Sequence, residues 1–481
     1  MLPQPPHRDK RRDRCDDERG QPGRHRGGWY PTRSGRTRLD QRRGVKHEPS
    51  DANPAPGIAT RVEALGYRSL RYVAQTLGPF HVLVGPNASG KSTFLDVVAF
   101  LGDLVRWGVE VAVQGDPRFG IPLRAPDGKQ LTWMRRGQRF ELAIELAIPA
   151  EQRSRIKNGR AHTCRYEVAV DVAGPLRIAA ETLWLKPAET EAPAAQRTLF
   201  PQPPVAPDSI VHLARKRTPK GWKKVVSRGE EPERVTFTSE TAGWSNPFRL
   251  ETDKAALASL PEDEERFPVA TWFRKVLGEG VQRLVLSSED MRRPSPPGRS
   301  RGYLPDGSNL PHVVHALRNE HPDRFEQWIQ HVREALPDLE SITTQEREED
   351  RHRYLVLRYA SGLQAPSWLV SDGSLRLLAL TLLAYLPDLS GLYLIEEPEN
   401  GIHPRAVETV FQSLSSVYGA QVLLATHSPV VASMAELEQI LCFARTNEGA
   451  TDLVAGSQHP RLRGWKGSVD VGTLLAAGIL S

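Results

Sequence analysis

The sequence predicts a mixed α/β fold, and three features of it support this prediction. A short apolar run, Phe80–Val84, ends at a glycine-rich loop that leads into an amphipathic helical segment. Two later apolar runs, 392–395 and 423–425, each stop abruptly at polar residues, as buried strands of an open sheet do. Between these runs lie segments in which apolar and polar residues alternate, which is typical of strands.

Further elements are predicted from the spacing of apolar residues. Helical spacing relates Phe94, Leu95, Val97, Val98, Leu101, Leu104 and Val105. Strands are predicted at Val62–Leu65, Leu70–Val73, Arg139–Ile148, Tyr166–Val172, Leu183–Leu185 and Tyr354–Tyr359, the third of them half-buried. Helices are predicted within Asn309–Leu336 and Leu375–Tyr385. Residues 187–235 carry many prolines and charges, which favours loops and a surface insertion.

Composition excludes several classes of protein. The longest apolar run, Leu377–Leu386, is far shorter than the roughly 20 residues that cross a bilayer. No apolar stretch follows the polar N-terminus, so we expect a soluble, cytoplasmic protein with no membrane partner. Cys15, Cys164 and Cys442 fit no CxxC or zinc spacing, which argues against a disulfide framework and a cysteine metal site.

Positive charge is concentrated at the N-terminus. Residues 1–50 hold 14 Lys and Arg against 7 Asp and Glu, a net of +7, so the remaining residues sum to −1 because the chain carries +6. Residues 1–58 also contain few aliphatic side chains, which predicts a disordered tail. Such a tail either holds phosphates electrostatically or is a disordered extension without that role.

The glycine-rich loop matches the phosphate-binding pattern GxxxxGK[ST]. Its residues are Gly85, Pro86, Asn87, Ala88, Ser89, Gly90, Lys91 and Ser92, followed by Thr93. Glycines let the backbone wrap a phosphate with its N–H groups pointing inward, and the following helix adds its positive N-terminal end. This pattern predicts that Lys91 reaches the β- and γ-phosphates of a nucleotide and that Ser92 is a ligand of Mg²⁺.

Polar residues after the two later runs complete a candidate site. Glu396 and Glu397 follow directly on four apolar residues, so we expect them at a strand tip, where Glu396 binds Mg²⁺ through water and Glu397 orients or deprotonates the attacking water. His427 ends the next run and is placed to hydrogen-bond a γ-phosphate. Adjacent glutamates on a solvated face and a lone structural histidine are the simpler alternatives.

The segment Ser371, Asp372, Gly373 and Ser374 opens a helical run, and these residue types favour a helix N-cap. Taken alone, the segment is only a cap. Taken with the other motifs, it is a second phosphate-binding helix terminus that completes the nucleotide site of a second copy of the chain.

Together these four motifs resemble those of the ABC-type ATPases, in the SMC- and RecF-like branch and its predicted bacterial AAA-type ATPases. The residues that carry the resemblance are Gly85–Thr93, Ser371–Arg376, Ile395–Pro404 and Ala425–Pro429, with further similarity at Gly66–Leu70, Arg292–Gly298 and Asp306–Leu310. The sequence departs from the common pattern at Asp372, which replaces a glycine of the signature, and at Glu396, which replaces an aspartate. A glutamine of the Q-loop is not placed.

The resemblance implies a P-loop NTPase with an ABC-type head: a mixed central sheet, an antiparallel β subdomain and a helical signature subdomain. It implies one such domain over residues 59–481, with strands and helices inserted at about 110–365. ATP and Mg²⁺ are the implied cofactors. Two copies would sandwich two ATP molecules head to tail, with Ser371 and Gly373 of one copy facing the Lys91 site of the other and Asn400 in the loop that joins the sites.

Several functions follow from these predictions. The first is an ATPase whose dimer cycle serves DNA repair or defence against phage. The second is an ATP-gated switch that recruits or restrains a partner nuclease or toxin. Only 54 residues follow His427, so, unlike the overcoming-lysogenization-defect family, the chain is expected to carry no nuclease of its own. A transporter subunit is disfavoured by the signature sequence and the long insert.

Nucleic acid is a further candidate partner. Arg215, Lys216, Arg217, Lys220, Lys223 and Lys224 surround Trp222, which is either a basic patch with one stacking group or a solvated hairpin.

Overall fold

A central six-stranded sheet organises the chain in the computed structural model, which describes residues 59–156, 159–188, 205–212, 218–298, 302–459, 462 and 472–473. The sheet has the order β10-β14-β15-β3-β16-β17. Its strands are β3 (Phe80–Val84), β10 (Val281–Leu284), β14 (Gly391–Glu396), β15 (Ala420–Ala425), β16 (Ile440–Arg445) and β17 (Thr451–Ala455). Neighbouring strands are parallel except β16 and β17. The predicted strand Phe80–Val84 is confirmed, as are those at the two later apolar runs.

An eight-stranded antiparallel sheet forms a second layer, in the order β2-β1-β4-β5-β6-β7-β8-β9. The strands are β1 (Ala59–Tyr67), β2 (Leu70–Thr76), β4 (Arg139–Ala147), β5 (Ala161–Asp171), β6 (Arg177–Pro187), β7 (Lys223–Arg228), β8 (Arg234–Thr238) and β9 (Ser245–Arg249). The expectation of loops and a surface insertion at residues 187–235 is wrong at the end of this range, because Val225 and Val226 of β7 and Val235 of β8 are buried in the core of this sheet.

Helices cover the two sheets, and a small third sheet lies beside them. Ten α-helices occur in the described ranges: α1 (Lys91–Trp107), α2 (Val109–Gln114), α3 (Ala150–Arg155), α4 (Pro268–Glu279), α5 (Ser288–Arg292), α6 (Leu310–Glu320), α7 (Pro322–Ala335), α8 (Asp372–Leu382), α9 (Pro404–Ser415) and α10 (Pro429–Met434). The third sheet is antiparallel and contains β11 (Leu339–Glu346), β12 (Arg353–Tyr359) and β13 (Gln364–Pro366). None of these helices is both long and apolar enough to span a bilayer.

The central sheet separates two hydrophobic cores. On β3, Leu83 joins the core that contains α1 and the antiparallel sheet, whereas Val82 and Val84 join the core that contains α8 and α9. This alternation follows from the two-residue period of a strand. The predicted α/β fold class, with a mixed central sheet, an antiparallel β sheet and a helical part that carries the segment at 371–376, is confirmed.

Strand β4 corrects one sequence prediction. The strand was expected to be half-buried, yet Glu141 and Glu145 on its polar face are each only 5% exposed. Glu141 accepts hydrogen bonds from the backbone N–H of Ile210 and the Ser209 hydroxyl, both at 2.8 Å. Glu145 accepts from Arg165 Nη1 at 2.9 Å. The alternation of apolar and polar residues therefore predicts correctly which side chains of β4 share a face. It does not predict that another segment covers the polar face and pairs its charges.

The predicted helical region Asn309–Leu336 is two helices, α6 and α7, separated at His321. Pro322 disfavours the helical conformation at the residue before it and has no N–H to continue the hydrogen-bond pattern, so the helix ends there. The helix predicted at Leu375–Tyr385 begins earlier, at Asp372, and its last residues form a 3₁₀ turn, Leu383–Tyr385.

Buried ion pairs under the antiparallel sheet generate a stability prediction. Arg165 is 2% exposed and contacts Glu63, Glu145 and Glu167. Arg165→Met removes the cation that these three buried carboxylates share and breaks its ion pairs with them, so we expect the free energy of unfolding to fall by about 3–5 kcal/mol.

The matched control is Arg177→Met. Arg177 pairs with Asp171 at 2.9 Å, but its side chain is 52% exposed, so its loss is expected to cost about 0–1 kcal/mol. Urea denaturation followed by tryptophan fluorescence measures both variants. Equal, small losses in the two variants would contradict the assignment of Arg165 to a buried network.

Candidate functional site

The phosphate loop occupies residues 85–90, between β3 and α1, and its glycines are required by close packing. Gly85 has φ +148°, and a Cβ placed on it would lie 2.2 Å from the carbonyl oxygen of Phe443. Gly90 has φ +109°, and a Cβ there would lie 2.2 Å from Thr451 Oγ1. Any side chain at these positions collides with β16 or β17, so the loop curves tightly against the sheet edge.

Thr451, the first residue of the edge strand β17, contacts the phosphate loop. Its hydroxyl contacts the carbonyl oxygen of Ser89 and the hydroxyl of Ser69, both at 2.9 Å. The Ser89 hydroxyl itself is buried and has no hydrogen-bond partner within the described part of the chain. Because an unpaired buried hydroxyl costs free energy, its position in this loop suits an oxygen-rich ligand such as a phosphate.

Lys91 is the first residue of α1 and lies inside the loop. It is 5% exposed, and its ammonium donates hydrogen bonds to the carbonyl oxygens of Gly85 and Pro86 at 2.8 and 2.9 Å. Burial lowers the pKa of Lys91 to about 8, while the nearby carboxylates of Glu397 and Glu396 act in the opposite direction. A cation thus lies where the predicted phosphates would bind.

Ser92 and Glu396 meet across the sheet edge. The Ser92 hydroxyl donates a hydrogen bond of 2.5 Å to Glu396 Oε2, and Arg283 Nη2 donates one of 2.7 Å to Glu396 Oε1. The hydroxyl keeps its lone pairs, so this pair of oxygen donors fits Mg²⁺, which takes few protein ligands in nucleotide sites and the rest from phosphates and water. Nowhere in the described residues, this site included, does a cluster of three or more His, Cys, Asp or Glu side chains have the arrangement of a metal site.

Glu397 follows the tip of β14 in an unusual backbone conformation. Its φ is +48°, in the left-handed region that non-glycine residues rarely adopt. Its N–H donates to the carbonyl oxygen of Ala425 at 2.7 Å, which fixes this conformation against β15. Its carboxylate accepts a hydrogen bond from Asn400 and lies 3.6 Å from His427 Nε2. Strain of this kind is common where a side chain must point in one direction.

The loop after β15 is also fixed. Thr426 donates its N–H to the carbonyl oxygen of Leu83 at 3.1 Å and its hydroxyl to Glu399 Oε1 at 2.5 Å. The Thr426 hydroxyl in turn accepts the N–H of Ser428 at 2.9 Å. His427, between these two anchored residues, is held beside Glu397.

The predicted signature residues lie at the start of α8. Ser371 caps the helix by accepting the N–H of Ser374 at 3.2 Å, as predicted for an N-cap, and Asp372 pairs with Arg292 at 2.6 Å. A Cβ on Gly373 would lie 2.5 Å from the carbonyl oxygen of Gly401, so the helix packs closely on the loop that contains Asn400.

No hydrogen bond or ion pair among the described residues joins 371–374 to Lys91 or Ser92. The chain thus brings Lys91, Ser92, Glu396, Glu397, Asn400 and His427 together. The signature helix packs against the loop that contains Asn400, to whose carbonyl oxygen Arg376 of the helix donates a hydrogen bond of 3.3 Å.

Three contacts of the site had no signal in the sequence. Arg283, which contacts Glu396, and Thr451, which contacts the phosphate loop, lie on strands that match no nucleotide motif, and their partners are 113 and 362 residues away in the sequence. Glu399 lies within the segment Ile395–Pro404, so its proximity to the site was foreseeable, but its bond to Thr426 was not.

The candidate nucleic-acid patch is partly described. Arg215, Lys216 and Arg217 lie outside the described residues. Trp222 packs its ring on Trp184, with centroids 5.7 Å apart, and on His212, while the Lys223 ammonium donates to the carbonyl oxygen of Glu240 at 2.8 Å. These contacts favour a structural role for Trp222 over base stacking.

Three solved structures are similar to this chain at low sequence identity and with TM-scores below 0.5. One is the SmcHead bound to the C-winged helix domain of ScpA, with 14% identity and a TM-score of 0.47. The match covers 82% of this chain and 96% of that chain. The Smc head domain of Pyrococcus furiosus bound to the C-terminal domain of ScpA has 13% identity and a TM-score of 0.44, with coverages of 82% and 95%. The SMC head domain from Thermotoga maritima has 14% identity and a TM-score of 0.37, with coverages of 82% and 98%. No curated protein matches the sequence.

One family of sequences matches more than half of the chain. Its description is "AAA domain, putative AbiEii toxin, Type IV TA system", and the match covers residues 80–132 and 204–433, which are 53 and 230 of the 481 residues. The matched segments contain the phosphate loop, the signature helix and the polar tips of β14 and β15. The chain therefore belongs to this AAA domain family.

Proposed function

We propose that the protein binds ATP with Mg²⁺ at the edge of the central sheet and hydrolyses it. The observation that carries this proposal is the meeting of one buried ammonium, one hydroxyl and two carboxylates where β3, β14 and β15 end. ATP hydrolysis needs this set of groups: a cation and amides for the phosphates, oxygen ligands for a metal, and a base for water.

Binding of the phosphates is assigned to the loop Gly85–Thr93. Its N–H groups and the N-terminus of α1 favour anions, and Lys91 supplies the charge for the β- and γ-phosphates. For this, the Lys91 ammonium exchanges the carbonyl oxygens of Gly85 and Pro86 for phosphate oxygens. This exchange replaces neutral acceptors with charged ones, which strengthens each hydrogen bond.

Ser92 and Glu396 would hold Mg²⁺, the first directly and the second through water. When bound, the metal neutralises charge on the β- and γ-phosphates. Glu397 orients the attacking water and accepts its proton as the water oxygen bonds to the γ-phosphorus. The bond from that phosphorus to the bridging oxygen breaks, and ADP leaves with phosphate. Asn400 donates a hydrogen bond to the Glu397 carboxylate, and His427 lies beside the same carboxylate.

A second copy of the chain completes the site in this proposal. Ser371, Asp372, Gly373 and Ser374 form a capped helix start that makes no hydrogen bond or ion pair with Lys91 or Ser92 of its own chain within the described residues. In a head-to-tail dimer they would face the γ-phosphate of the partner. Residues 59–481 would form one such ATPase domain, with the insertion at about 110–365 and the tail 1–58 outside it.

The biological role proposed for this cycle is DNA repair or defence against phage. The alternative is a switch with slow turnover, in which ATP gates binding of a nuclease or toxin. The description of the family, which includes a toxin and a type IV toxin–antitoxin system, favours a toxin as the partner to test first.

Glu397→Gln separates hydrolysis from binding. The variant removes the base but keeps the size of the side chain, so we expect turnover to fall by roughly 10²–10⁴-fold with ATP still bound. Lys91→Ala is the matched control and should lose tight ATP binding. Phosphate release and nucleotide binding are measured for both variants. Unchanged turnover in Glu397→Gln would remove this residue from its proposed role, and partner capture that persists in it would favour the switch.

Mixing two inactive variants tests the shared site. Lys91→Ala removes phosphate binding, and Ser371→Asp keeps a good N-cap but places negative charge near the partner's γ-phosphate. Each heterodimer then has one intact site, so turnover of the mixture should recover to about a quarter of the wild-type value in a two-fold dimer. No recovery, while each variant alone still dimerises, would argue against a site built from two copies.

The pKa of Lys91 predicts a pH dependence of ATP binding. In the free protein this pKa lies at about 8, so the ammonium loses its proton as pH rises above 8. Bound phosphates favour the protonated form, so ATP binding takes up a proton there, and the dissociation constant should rise by up to about tenfold per pH unit. Titration of a fluorescent ATP analogue between pH 7 and pH 10 measures this slope. A constant affinity over that range would contradict the lowered pKa.

A further inference from the structure

Arg283 lies beside the proposed metal site without belonging to any nucleotide-binding motif. It is carried by β10, the edge strand that pairs with β14, and its register partner Leu394 lies two residues before Glu396. A Cβ on Gly102 of α1 would lie 2.9 Å from the carbonyl oxygen of Leu277 and 3.3 Å from Val281 Cβ. The backbone that carries Arg283 is therefore packed closely on the helix whose first turn carries Ser92.

The two oxygens of Glu396 are divided between two donors. Arg283 Nη2 occupies Oε1 at 2.7 Å, and the Ser92 hydroxyl occupies Oε2 at 2.5 Å. Neither ion-pair partner is buried, because the side chain of Arg283 is 39% exposed and that of Glu396 is 27% exposed. Water screens such a pair, so its strength is modest and a divalent ion can compete with it.

The charges of the groups at the sheet edge determine how strongly Arg283 opposes binding of a metal ion to Glu396. Lys91 and Arg283 are positive, and Glu396 and Glu397 are negative, so these four groups sum to zero before any ligand binds. A metal on Ser92 would share Glu396 with the guanidinium, and two cations close to one carboxylate repel each other. The affinity of Ser92 and Glu396 for a metal would therefore be lower with Arg283 present than without it.

We propose that Arg283 is a positioning residue that competes with Mg²⁺ for Glu396 and so sets the Mg²⁺ concentration needed for nucleotide binding. This inference rests on the proposed ATP site. Without metal, the guanidinium holds the Glu396 carboxylate toward Ser92. Mg²⁺ can bind only by weakening the ion pair between Arg283 and Glu396. Because this costs free energy, the site binds nucleotide tightly only when Mg²⁺ is abundant.

The test is a Mg²⁺ titration of the binding of a fluorescent ATP analogue to the full chain at fixed nucleotide concentration. Arg283→Gln removes the competing charge, so the half-saturating Mg²⁺ concentration should fall by roughly 3–30-fold. Arg283→Lys keeps the charge and should stay close to wild type. The control Arg293→Gln changes an arginine that is 64% exposed and pairs with Asp290 and Glu289, and it should have no effect.

The outcomes of this titration distinguish a failure of the Arg283 inference from a failure of the proposed ATP site. An unchanged or higher Mg²⁺ requirement in Arg283→Gln overturns the inference, as does an Arg283→Lys variant that behaves like Arg283→Gln. If the wild-type chain shows no Mg²⁺-dependent binding of the analogue, the proposed function itself fails. Melting temperatures of the variants establish that they fold, and Arg283→Met replaces Arg283→Gln if the latter does not.

Discussion

The parallel register of β14, β15 and β3 is the constraint on which the rest of the site depends. Ala425 pairs with Glu396 on one side and with Leu83 on the other, so three strands end at the same level. The chain continues from each strand directly into a polar segment. Residues more than 300 positions apart therefore reach one another without any long loop, and the carboxyl edge of the sheet becomes a binding surface.

Packing on both faces of the sheet fixes this edge. The core with α1 anchors the phosphate loop, and the core with α8 and α9 anchors the signature helix and the Asn400 loop. The approach of Gly373 to the carbonyl oxygen of Gly401 joins these two segments more tightly than a side chain would allow. A displacement of α8 would therefore affect the loop that contains Asn400, whose side chain donates a hydrogen bond to Glu397.

The local parts of this arrangement could be predicted from the sequence, and the long-range parts could not. Phe80–Val84 and the phosphate loop were predictable because glycine spacing and apolar runs are local signals. Arg283 and Thr451 were not, since only the strand order brings them to Glu396 and Ser89. The burial of Glu141 likewise depends on a distant covering segment, whereas the break at Pro322 was a local signal that the helical spacing concealed.

In the proposed site, Lys91, Ser92 and the carboxylates at the end of β14 act on one triphosphate. A crystal structure of the chain with Mg²⁺ and a non-hydrolysable ATP analogue tests this most directly. We expect the Lys91 ammonium to leave the carbonyl oxygens of Gly85 and Pro86 for the β- and γ-phosphates, and Ser92 Oγ to be a ligand of the metal. A nucleotide bound elsewhere, with Lys91 still on those two carbonyl oxygens, would contradict it.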